Sequence, residues 1–174
     1  KEVRPVGNSS LMFSSVWHRP HPAKVSFFMS RRLWGRLPLD DVLHTLGFQS
    51  ASKCRCCSHP AAESFEHVFS MGQVAEAVWG FFEGLCGISS SAPYVRARLD
   101  SWWLASPSSK RRKAIFHIMP SLICWQFWKA RIRAVNGLGS GRNSLFVTRT
   151  RTILPDLDPT RLPVGSFILC FGFG

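Results

Sequence analysis

At 174 residues the chain has the length of one domain, or of one domain and a tail. Its 45% hydrophobic share, with seven tryptophans and fourteen phenylalanines, is enough for a real core, while no apolar run is long enough to cross a bilayer. The 22 basic and 10 acidic residues leave a formal charge of +12, which suits an anionic partner, nucleic acid before a membrane surface.

The N-terminus has no signal-peptide core, so an intracellular location, nucleus or cytoplasm, is expected, and the protein is not expected to be secreted. In that setting six cysteines do not read as a disulfide framework. The chain opens on Lys1 rather than Met, as a piece of a longer protein would.

Residues 1–10 are polar and read as loose. Leu11, Phe13, Val16 and Trp17 make a first apolar patch, closed by His18-Arg19-Pro20-His21-Pro22. Pro22 suits the first position of the next helix, over 23–34, with Val25, Phe27, Phe28, Met29, Leu33 and Trp34 inward and Lys24, Arg31 and Arg32 outward. Asp40 suits an N-cap for a short helix that turns Val42, Leu43 and Leu46 inward and stops at Gly47. The adjacent pair Asp40-Asp41 does not read as catalytic, because neighbouring helical residues diverge.

The chain then reaches Cys54-Arg-Cys-Cys57, a C-x-x-C turn with Cys56 inside it. Glu63 to Phe69 reads as helical with His67 on the inner side. Zinc takes thiolates and imidazoles, normally four in a tetrahedron, and Cys54, Cys57 and His67 supply three. The bland alternative is that the cysteines are small buried hydrophobes. The fourth ligand stays open among Cys56, His59 and water.

Val74, Ala77, Val78, Phe81 and Leu85 recur at helical spacing before Gly87. A serine-rich linker, 89–93, leads to a short helix over 94–104 with Val95, Leu99, Trp102 and Trp103 apolar. A long helix follows from Lys110 to about Val135, with a stripe of Ile115, Ile118, Leu122, Trp125, Trp128 and Ile132 and a kink at Pro120. Gly137 to Gly141 is a flexible linker, and the tail beyond it has no clean period.

With these blocks placed, the chain resembles the zinc-binding domain that follows the polymerase in plant LINE-type (non-LTR) retrotransposon reverse transcriptases. The match is carried, in order, by Val16-Trp17, Pro22 to Met29, Arg32-Leu-Trp-Gly-Arg36 with Leu37 to Asp41, Ser52 to Cys57, Glu63 to Phe69, Ala75 to Trp79 and Pro120 to Arg131. The resemblance covers roughly residues 11–136. It implies Cys54, Cys57 and His67 as zinc ligands, and it places the family's last cysteine at Gly72, which has no side chain.

The expected fold is a mainly α, small helical domain built around the Cys/His turn. The expected divisions are 1–10 loose, 11–88 zinc-binding domain, 89–136 linker and tryptophan-rich helical extension, and 137–174 low-order tail. The expected function is a retroelement-derived, non-catalytic, nucleic-acid-binding accessory domain. The alternative is a metal-free helical interaction module or an inactive retrotransposon remnant. Arg31, Arg32, Arg36, Lys110, Arg111, Arg112, Lys113, Arg131 and Arg133 are the basic residues expected to meet RNA or DNA. A reverse transcriptase, in cis or in trans, is a further expected partner; a membrane or a small-molecule substrate is not. Neither polymerase nor ribonuclease H motifs are seen: Asp40-Asp41 lacks the aromatic hairpin setting, and the tail offers only Asp156 and Asp158.

Overall fold

From Ile115 to Phe127 the sequence puts apolar residues on more than one side of a helix, a pattern that requires enclosure. The computed structural model, which describes residues 9–17, 21–49, 52–58, 61–89 and 93–137, makes this segment the central element. Helix α6 spans Lys110–Val135 and is capped by Ser109, whose Oγ accepts from the Arg112 amide. Around it lie α1 (Ser9–Val16), α2 (Ala23–Leu33), α3 (Asp40–Thr45), a π-helical turn (His67–Met71), α4 (Gln73–Cys86) and α5 (Val95–Leu104). No strand occurs among the described residues, and none of their helices is long and apolar enough to cross a membrane.

Helix α6 packs against α2, α4, α5 and the π-turn. The expected stripe holds at Ile115, Ile118 and Leu122, but Ile132 is exposed and Trp125 and Trp128 are only partly buried. Phe116, Met119, Ile123, Cys124 and Phe127 are buried as well, so more than one side of the helix is enclosed. The helix runs through Pro120, itself buried, although proline offers no amide to the carbonyl four residues back.

The core does not divide at residue 88. Trp79 of α4 meets Trp102 of α5 at 6.3 Å between ring centroids and Phe127 of α6 at 6.1 Å. Phe28 of α2 lies 5.2 Å from Trp125 of α6. The expected 89–136 extension is therefore half of the core rather than an appendage. Residues 90–92 of the serine-rich linker and 138–174 of the expected tail lie outside the described residues. At the other end, α1 begins at Ser9, within the stretch expected to be loose.

Several local readings need correction. Asp40 is not an N-cap: Leu39 occupies that position, and the Asp40 carboxylate instead faces Arg131. Leu46, at the end of α3, is exposed rather than inward; Phe27 and Trp34 are exposed too, because the buried side of α2 is that of Val25, Phe28, Met29 and Arg32. Arg32 is buried, not outward. On α4 the buried set is Ala75, Val78, Trp79, Phe82, Glu83 and Cys86, so the inward face is rotated from the expected one and Ala77 and Leu85 are exposed. Gly87 does end α4: it takes a left-handed φ of +67°, and the Ile88 amide turns back to the Glu83 carbonyl at 2.9 Å.

Candidate metal centre

The cysteine turn is held at both ends. The Cys54 amide donates to the Ala61 carbonyl at 2.8 Å, closing the loop on itself. Ser52 and Glu63 pair reciprocally: the Glu63 amide donates to Ser52 Oγ at 2.9 Å, and that hydroxyl donates to the Glu63 carbonyl at 3.3 Å. Further along, the Ser58 hydroxyl and amide both donate to Gln73 Oε1, at 2.6 and 3.3 Å, which ties the loop to the start of α4.

His67 is aimed by the turn that follows. Its amide donates to Ser64 Oγ at 3.2 Å, and Asp41 Oδ2 accepts from the Phe65 amide at 3.0 Å. The Gly72 amide closes back on the His67 carbonyl at 2.8 Å, the five-residue spacing of a π-turn. Trp79 Nε1 donates to the Phe69 carbonyl at 2.8 Å from inside the core, which fixes the turn against α4.

These supports bring three donors together. Cys54 Sγ lies 3.9 Å from Cys57 Sγ, and Cys57 Sγ lies 3.4 Å from His67 Nε2. All three donor atoms fall within 4.8 Å of one another. Zinc–sulfur bonds near 2.3 Å and zinc–nitrogen bonds near 2.0–2.1 Å in a tetrahedron imply S···S edges of about 3.8 Å and S···N edges of about 3.6 Å. The donor set and its spacing therefore fit zinc, held by Cys54, Cys57 and His67. A zinc ion there would cross-link the loop to the π-turn and so contribute folding energy.

The electrostatics of the turn prepare one thiolate. Hydrogen bonding from the Cys56 thiol, then from the backbones of Cys56 and Cys57, with a smaller contribution from His67, pulls Cys54 down to about 5 against the opposing effect of burial. Burial pushes Cys57 up, opposed by the backbone amides of Val74 and Gln73 at the start of α4. Cys56 is pushed up, chiefly by that same hydrogen bond to Cys54. Coordination would deprotonate the ligating thiols outright.

Of the possible fourth ligands, Cys56 is not among the donors gathered within 4.8 Å, and His59 lies outside the described residues. Gly72 abuts the site. A Cβ built on it would stand 3.2 Å from His67 Nε2 and would collide with the His67 carbonyl oxygen.

The basic residues divide by burial. Arg31, Arg36, Lys110, Arg111, Lys113 and Arg133 are exposed. Arg112 is half-buried, with its guanidinium 5.9 Å from the Phe116 ring centre. Arg131 is buried and turned inward: its Nη2 lies 2.7 Å from Glu63 Oε1 and 3.5 Å from Asp40 Oδ1. Arg32 is buried over the Phe65 ring at 5.0 Å, and burial lowers its pKa. Arg32 and Arg131 thus leave the set available to a phosphate backbone, a correction the spacing of charges alone did not reveal.

What sequence reasoning missed is the exposed aromatic face of α2. Phe27 and Trp34 are 62% and 59% exposed. They are joined from α1 by Trp17, edge-on to Phe27 at 5.4 Å, and by Phe13, 5.3 Å from Trp34. The signal was present in the spacing of Lys24, Phe27, Arg31 and Trp34, which share one helical face.

Fold and site together define, among the described residues, a helical domain with a two-cysteine, one-histidine donor set spaced to hold a metal ion. Residues 1–79, rather less than half of the chain, match the family described as zinc-binding in reverse transcriptase. The matched segment holds all three donors and ends at Trp79, midway along α4. No curated protein and no solved structure matches the chain.

Proposed function

We propose that the chain is a retroelement-derived, non-catalytic accessory domain that binds single-stranded RNA or DNA, working with a reverse transcriptase in cis or in trans. The observation that carries this reading is the face of α2 where aromatic and basic side chains alternate. Phe27 and Trp34 stand exposed beside Arg31, with the Arg36 guanidinium 5.9 Å from the Trp34 ring centre. Exposed rings stack on bases of any identity, and each such contact is worth about 1–3 kcal/mol; nearby guanidiniums neutralise phosphates. The net charge of +12 adds long-range attraction. The family match to a reverse-transcriptase zinc domain points the same way. A LINE-type ancestor, plant in origin, and a nuclear or cytoplasmic site of action complete the reading.

The test is fluorescence anisotropy with labelled single-stranded RNA and DNA at several salt concentrations. Binding whose affinity falls steadily with salt, and falls further on Trp34→Ala or Phe27→Ala at unchanged thermal stability, supports the proposal. Absence of binding at low ionic strength overturns it.

A further inference from the structure

Two rows of side chains meet where α2 packs on α6. On α2, Phe28 lies one turn beyond Lys24; on α6, Lys129 lies one turn beyond Trp125, and Arg133 one turn further. The Phe28 and Trp125 rings join the rows at 5.2 Å, and the Trp128 ring stacks on Phe28 at 6.1 Å. The rings fill the seam and the cations stand at its rim: Lys24 and Arg133 are exposed, and Lys129 is half-buried. Burial lowers the Lys129 pKa, and the like charges of Arg133 and Lys24 lower it further. Three cations thus share one patch, an arrangement that costs folding energy and that an anion relieves. Lys24 also belongs to the α2 face of Phe27, Arg31 and Trp34, so the patch continues that face.

We propose that a single strand held by the α2 face runs on across the seam between α2 and α6, where Lys24, Lys129 and Arg133 hold its phosphates. The inference rests on the nucleic-acid reading and names the path of the strand. Lys24 and Trp34 stand about 15 Å apart along α2, at 1.5 Å per residue, so rings and cations alternate over a span that a short strand can follow. Lys113 is about 24 Å from Lys129 along α6, which makes the Lys110 to Lys113 run a separate patch and the rival seat for the phosphates. Neither Lys24 nor Lys129 stands out in the sequence, because their convergence depends on α2 meeting α6.

Anisotropy of a labelled oligouridylate of about six nucleotides, measured over a range of salt concentrations with the full chain, tests the path. Each phosphate neutralised on a single strand contributes about 0.7 to the slope of log affinity against log salt. Lys24→Gln and Lys129→Gln should each lower the magnitude of that slope by about 0.7, and the double variant by about 1.4, at unchanged melting temperature. Lys129→Arg should keep the parent slope. A parent that binds through Phe27 and Trp34, while both glutamine variants keep its slope, overturns the path and leaves the nucleic-acid reading standing. So does a slope that falls with Lys110→Gln and Lys113→Gln instead, or one that falls as far in Lys129→Arg as in Lys129→Gln. No binding by the parent overturns the path and the reading together.

Discussion

Arg131 and Glu63, 68 residues apart in sequence, form a buried two-pronged pair: Nη2 to Oε1 at 2.7 Å and Nε to Oε2 at 3.2 Å. Glu63 sits in the segment between the cysteine turn and His67, and Arg131 sits near the end of α6. The Asp40 amide donates to the same carboxylate at 3.2 Å, so α3, the metal loop and α6 meet at one point. The matched segment, residues 1–79, thus depends on a helix outside it for the placement of its metal loop.

Breaking this pair from one side leaves a buried charge without its partner. Arg131→Met should destabilise the protein by about 3–5 kcal/mol, while Arg131→Met combined with Glu63→Leu should recover much of that loss. Urea unfolding of the single and double variants gives the answer, and a single variant as stable as the parent would contradict the role assigned to the pair.

Removal of α5 and α6 should have a larger effect. A chain ending at Ser89 keeps every proposed ligand but loses Trp102, Phe116, Ile118, Leu122 and Phe127 from the core. It should show no cooperative thermal unfolding and little near-ultraviolet circular dichroism, even with zinc present. A sharp transition in that truncated chain would show that the family segment folds on its own.

Metal removal should loosen the loop and the π-turn. A ligand held at a hundred times its dissociation constant stabilises the folded state by about 2.7 kcal/mol, so chelation should lower the melting temperature by several degrees. Cys57→Ser and His67→Ala should abolish stoichiometric zinc and mimic the chelated protein. The rival picture of a metal-free helical module requires one outcome instead: melting curves that superimpose with and without chelator.

Trp79→Phe probes the buried support behind His67. The ring keeps most of its volume, but the Phe69 carbonyl loses the indole donor at 2.8 Å, within a fully buried setting. Stability should fall by about 1–3 kcal/mol. Hydrogen exchange should locate the loosening at residues 67–72, with affinity for single-stranded nucleic acid unchanged, because Trp79 is fully buried and is not part of the exposed face of Phe27 and Trp34.

Much of this protein was written in its local sequence. The C-x-x-C spacing and the following histidine identified the three donors, because a tight turn and a short connection leave little freedom in where they point. The bounds of α6 and the stop at Gly87 were legible for similar reasons, since caps and breakers act within a few residues. What tertiary structure alone decided was which side of each helix faces the core. α6 covers one side of α2, and so turns Arg32 inward and leaves Phe27 and Trp34 in solvent. It also takes Arg131 from the surface and gives it to Glu63. Burial and long-range pairing depend on partners far along the chain, and no local pattern of charge or hydrophobicity encodes them.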